Sequence, residues 1–140
     1  MTGEANLENL LRNMEPVLDA AVYDFVSWPS ENPVPAVLEP IMTFREKEGL
    51  TLIVEWERAK TAGLQSSFPS RMITLNIHSS LAAIGFLAAI LPRLAAAGMG
   101  VNPVSGFYHD HLFIPADRAS DAMYILQQIV RENADLSRSH

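Results

Sequence analysis

Tyr108-His109-Asp110-His111 is the densest run of chemically capable side chains in this sequence. On a strand, His109 and His111 share one face and Asp110 points to the other. Two imidazoles on one face, with His78 as a further nitrogen donor, suit a zinc ion. No HExxH or comparable spacing accompanies them, and hydrogen-bonded histidines on a partly covered sheet face account for the same run. Ser79-Ser80, directly after His78, is a second candidate. If these serines open a helix, its first N–H groups lack intrahelical partners and can hold a carboxylate or phosphate. Plain N-capping accounts for either serine taken alone. The third candidate is Gly98-Met99-Gly100-Val101-Asn102. Its glycines permit close backbone approach, and Asn102 adds a donor and an acceptor. It is not a dinucleotide fingerprint, because it follows a helix and Pro103 stands where a third glycine would be needed. Serine, histidine and aspartate are all present, but no nucleophile elbow or oxyanion-hole motif arranges them for hydrolysis.

The elements that must position these residues are readable. Arg71 to His78 alternates with period two, a strand that turns Ile73, Leu75 and Ile77 to one face. Leu81, Ile84, Leu87, Ala88, Leu91, Leu94 and Ala95 form an apolar helical stripe that Gly98-Met99-Gly100 ends, with Pro92 expected to kink it. Two short strands meet around Gly106-Phe107-Tyr108. Pro115-Ala116-Asp117 then opens a helix with the stripe Ala119, Ala122, Met123, Leu126, Ile129 and Val130. Before residue 70, Asn6 caps a short helix through Leu7, Leu10, Leu11 and Met14. Val22 to Trp28 reads as a strand, and residues 41–45 and 50–54 read as a hairpin turning at Gly49. Trp56 to Ala62 is a helix closed by Gly63. The polar break at Gln65 to Ser70 is the best boundary. The order predicts an α+β fold of two ferredoxin-like units, with antiparallel sheets covered by helices on one face. Residues 1–65 form the first unit, 66–135 the second, and 136–140 a disordered tail. A single mixed α+β domain is the alternative.

The chain has 140 residues, 49% of them hydrophobic, and no cysteine. It is long enough to bury a core without staples, and thiolate chemistry is excluded. The net charge is −6 and the ten basic residues are scattered, which argues against nucleic acid. The uninterrupted apolar run Leu81 to Leu91 falls short of the roughly 20 residues of a membrane span. No signal peptide is visible, so a cytoplasmic protein is expected.

Ile77 through Leu81, Gly98 through Asn102, and Gly106 through Pro115 together resemble the small tandem ACT-domain bacterial proteins. Phe44 through Leu52 resembles the N-terminal hairpin of the same family. The likeness runs over about residues 40–131 and is most specific in the Tyr-His-Asp-His segment. The family is similar to the regulatory ACT pairs of aspartate kinases and to the CASTOR-type arginine sensors. The resemblance implies βαββαβ units that bind amino acids between paired units. It implies that Ser79 and Ser80 meet a ligand carboxylate, that Gly98, Met99, Gly100, Val101 and Asn102 meet its backbone groups, and that Asp110 recognises a cationic side chain. Pro103 and Ser105 depart from the more apolar strand usual there.

The expected function is therefore a non-enzymatic module that senses a small molecule, an amino acid above all, as a homodimer and without a cofactor. Two alternatives stay open. One is an interaction homodimer that takes no ligand. The other is a metal-dependent enzyme built on His109, Asp110 and His111.

Overall fold

The computed structural model describes residues 3–138. Its chain packs as two compact units, and β1 (Glu15–Trp28) runs through both. One unit is Ala20–Arg71; the other joins the stretch through Asp19 to the stretch from Met72 onward. The sequence-order limits of 1–65 and 66–135 thus differ from the grouping by packing. No helix among the described residues is long and apolar enough to cross a membrane.

In the unit Ala20–Arg71 the strand order is β2 (Met42–Arg45), β3 (Leu50–Glu55), β1. Both pairings are antiparallel, with Tyr23 opposite Glu55 and Met42 opposite Ile53. The hairpin turns at Gly49, where φ is 152° and an added Cβ would lie 2.8 Å from the Trp28 carbonyl oxygen. Only glycine lets the neighbouring strand come that close. The helix α2 (Trp56–Thr61) follows and closes as expected, with Gly63 at φ 77° and the Leu64 N–H donating to Ala59 O. Leu38, Leu52, Val54 and Ala59 form the core. The Asp24 carboxylate is fully buried in β1 and accepts the backbone N–H groups of Phe25 (2.9 Å), Ser67 (3.2 Å) and Phe68 (2.7 Å). It fastens the polar break to the strand.

The other unit contains α1 (Leu7–Asn13), β4 (Ser70–Asn76), α3 (Phe86–Ala96), β5 (Asn102–Ser105), β6 (Asp110–Pro115) and α4 (Ala119–Arg138). Its strand order is β1, β4, β6, β5. Asn6 caps α1 as expected, its Oδ1 accepting the Asn9 N–H at 3.0 Å. Leu10, Leu11 and Met14 then enter one core with Ile73, Leu75, Leu112, Ile114 and Leu126. On β6 the core face is Asp110, Leu112 and Ile114, by period two, so a carboxylate ends a row of aliphatic side chains. The helix α4 starts after a 3-10 turn at Ala116–Arg118, and Arg118 donates to the Ala97 carbonyl at 3.0 Å. It reaches Arg138, into the stretch expected as a disordered tail; residues 139 and 140 lie outside the described residues.

Two expectations for the elements are corrected. The strand expected from Val22 begins at Glu15, with Pro16 near its start, where a missing N–H is tolerated. The helix expected from Leu81 begins at Phe86. The Ser80 hydroxyl and carbonyl accept the Ala82 and Ala83 N–H groups, which makes a local turn instead. Gly85 then takes φ 89°, which no helix interior allows. The buried stripe is Phe86, Ile90 and Leu94; Leu81 and Ile84 are 68% and 87% exposed.

Candidate functional site

The start of α3, the segment Ser79–Ala83 and the facing ends of β5 and β6 enclose a cavity of about 190 Å³. Asp110 is its centre of charge. It is 7% exposed and accepts hydroxyl hydrogen bonds from Ser79 (3.1 Å) and Ser105 (2.6 Å). Each partner arrives from a different element. Ser79 follows β4, and Ser105 is placed opposite Asp110 by the β5–β6 register. Ser80 lines the same space, its hydroxyl accepting the Ala82 N–H at 3.1 Å. So do Phe86, Leu87 and Ala88, the first residues of α3, and no side chain caps that helix. Their N–H groups have no intrahelical acceptor and carry the positive end of the helix dipole. No basic side chain is among the described residues that line the cavity.

The cavity thus offers two opposite ends within one small space. The buried carboxylate accepts donors and favours a positive group. The open helix start and the Ser80 hydroxyl favour a negative one. This joins two features that the sequence places six residues apart. The serine pair does not begin the helix, yet both face the same cavity.

Of the eight candidate ligand residues, Ser79, Ser80 and Asp110 are brought together. Gly98, Met99, Gly100, Val101 and Asn102 lie elsewhere. Asn102 pairs with Phe113, three places along the ladder from the Ser105–Asp110 pair, or about 10 Å at strand spacing. Gly98 caps the far end of α3, at φ 83°, and Met99 is buried in the core. In the sequence Ser105 stands out only as a departure from an apolar strand. Its signal is hairpin register, since it flanks the same turn as Asp110. Gly85 carries no such signal, because it sits inside the continuous apolar run Leu81 to Leu91.

The histidines sit apart from Asp110. His111 lies on the opposite face of β6, its Nδ1 2.9 Å from the Thr74 hydroxyl. Its ring centroid is 6.3 Å from that of His109. Burial, then the neighbouring His109, hold its pKa below the usual histidine value, against a weaker opposing pull from Asp110. No group of three or more His, Cys, Asp or Glu among the described residues could hold a metal ion. His78 packs instead against the exposed rings of Tyr108 and Phe107, at 5.2 and 6.0 Å between centroids. Beside it a second cavity, about 410 Å³, is lined by Gly3, His78, Ser79, Leu81 and Phe107.

Comparison with known proteins agrees with this architecture. Two ACT-domain family models match, one over residues 2–71 and the other over residues 67–128. No curated protein matches the chain. Among solved structures, a Vibrio cholerae protein of unknown function, described as a possible transport protein, is 41% identical, with a TM-score of 0.78 over 89% of this chain and 95% of that one. An Agrobacterium tumefaciens protein shares the fold at 16% identity, with a TM-score of 0.68 over 84% of this chain and 89% of that one. The chain belongs to the ACT-domain family and carries two ACT domains in tandem.

Proposed function

We propose that this protein is a non-enzymatic regulatory module whose cavity at Asp110 takes a free amino acid. One observation carries the reading: a buried carboxylate and an uncapped helix start face the same space of about 190 Å³. A zwitterion satisfies both ends at once, its ammonium or cationic side chain at Asp110 and its carboxylate at Ser80 and the start of α3. The volume is below the roughly 300–1,000 Å³ of drug-sized pockets, which suits a small metabolite. Binding to the native state raises its stability by mass action, so the ligand registers as a shift in melting temperature. A screen of the twenty amino acids by thermal shift is the test. A saturable upward shift with one or a few of them, lost in Ser80→Trp, is the expected result. If no amino acid moves the midpoint, this reading is wrong.

The placement of Asp110 weighs against the metal-enzyme alternative, because its carboxylate faces away from His111 and is held by two serine hydroxyls. The homodimer reading has its own support. Leu81, Ile84, Phe107 and Tyr108 are all more than half exposed. Sedimentation equilibrium of wild type and Ile84→Glu separates the two: a dimer dissolved by the charge supports the interaction reading, with or without a ligand. We also propose a cytoplasmic location, and ACT-unit limits near residue 65.

A further inference from the structure

The segment that carries Ser79 and Ser80 is held on its outer side by residues close to the N-terminus. Glu4 and Ser79 form a parallel β-bridge. The Glu4 N–H donates to His78 O at 2.7 Å, and the Ser80 N–H donates to Glu4 O at 2.8 Å. These two bonds bracket Ser79, the residue whose hydroxyl reaches Asp110. Gly3 makes the contact possible. An added Cβ there would lie 2.5 Å from His78 O and 2.6 Å from Ser79 C, both backbone atoms. Such atoms cannot swing aside as a side chain does, so any residue but glycine lifts the strap. The strap is itself anchored. The Glu4 carboxylate accepts from Asn9 Nδ2 at 2.9 Å, and Asn6 caps the helix that Asn9 belongs to.

Among the described residues the Ser80 N–H has Glu4 O as its acceptor, and the turn from Ser79 to Ile84 makes few apolar contacts with the core. Leu81 and Ile84 are 68% and 87% exposed. Segments of this kind open locally at low cost. The two strap bonds thus hold the backbone on both sides of Ser79, whose hydroxyl reaches Asp110, and adjoin Ser80, which lines the cavity.

We infer that Gly3 and Glu4 are positioning residues of the Asp110 cavity, a two-residue strap that sets Ser79 and Ser80 against the carboxylate and the start of α3. The inference deepens the amino-acid reading and rests on it for the identity of the occupant. Because coupling between sites is reciprocal, an occupant that touches the serines tightens the strap, and freeing the strap weakens the occupant's binding by the same factor.

The test compares Gly3→Val and the milder Gly3→Ala with Ala5→Val, which puts a branched side chain at an exposed position of the same segment. Amide hydrogen exchange is followed at Glu4, Ser80, Ala82 and Ala83, with Ile73 and Leu75 as core controls, and L-arginine is titrated calorimetrically as the probe. In both Gly3 variants exchange at the four strap and turn amides is expected to quicken by about tenfold or more, with the core controls unmoved. L-Arginine affinity is expected to fall at least fivefold, while Ala5→Val does neither. Unchanged exchange at Ser80 overturns the inference. So does quickened exchange with full L-arginine affinity. If the wild type binds no L-arginine, arginine is ruled out as the occupant and the thermal-shift screen decides among the other amino acids, while the strap is still decided by Ala82 and Ala83, whose N–H groups report the placement of Ser80. Quickening there upholds it and constancy refutes it.

Discussion

Asp110 occupies a position where period two calls for an aliphatic residue, in line with Leu112 and Ile114. A buried carboxylate is tolerated when its oxygens are hydrogen-bonded, and here Ser79 and Ser105 supply the bonds. Asp110→Asn keeps the shape and removes the charge. One hydroxyl then faces an amide nitrogen and must rotate to accept from it. The expected outcome is a loss of amino-acid affinity of about tenfold or more, with a change in melting temperature of only a few degrees. Calorimetric titration beside a melting curve checks it, and full affinity in Asp110→Asn would remove the carboxylate from the site. His111, one residue on, carries a different prediction. Its folded-state pKa is held below the usual 6.5 by burial and by His109. The unfolded chain then takes up the proton first as pH falls. Stability is accordingly full above about pH 6.5 and declines as pH drops through the folded-state value. The groups around the ring are His109, Asp110 and the Thr74 hydroxyl. Urea midpoints at pH 7.5 and 5.5 should diverge less in His111→Gln than in wild type; equal slopes would assign the acid sensitivity elsewhere.

At the scale of the element, α3 shows what a sequence reveals and conceals. Its end was legible, because Gly98 takes the left-handed conformation that helix C-caps require, at φ 83°. Its start was not. Leu81 to Leu91 has the composition of a helix throughout, and composition does not say which glycine will adopt positive φ. Gly85 does, and it shifts the helix start by five residues, so that Phe86, Leu87 and Ala88 come to face the cavity. The other strands and caps were legible where the cause is local. Asn6 caps its own helix, and Gly49 turns its own hairpin. Gly85→Ala tests the local argument. The nearest atom to the added Cβ would be Leu7 Cδ2 at 3.6 Å, an ordinary contact, so the cost is conformational. It should amount to about 1–2 kcal/mol. Chemical denaturation measures it, and a loss under about 0.3 kcal/mol, well below that range, would mean that position 85 does not need positive φ.

Over the whole molecule, what the sequence hides is long-range. Asp24 clasps the N–H groups of Ser67 and Phe68, the strap at Glu4 meets Ser79, and neither pairing has a pattern inside any short window. The order of elements along the chain also differs from their grouping in space. The expectation placed α1 in the first unit because it comes first. Yet Leu10, Leu11 and Met14, at 0%, 7% and 2% exposure, are packed with Ile90, Leu94, Leu126 and Ile129. Amphipathic spacing identified the face of α1 that would be buried, and could not say against what. Burying three such side chains stabilises by about 1.5–3 kcal/mol each. Their sum is comparable to the whole stability of a typical domain, about 5–15 kcal/mol. A fragment from residue 66 onward, cut at the sequence boundary, should therefore lack a closed core. It is expected to show no cooperative thermal transition and to bind a hydrophobic dye, whereas the same fragment mixed with a peptide of residues 3–19 regains a transition. Circular dichroism melts of the two samples decide the matter. A cooperative melt from the fragment alone would mean that α1 rests on a core able to close without it.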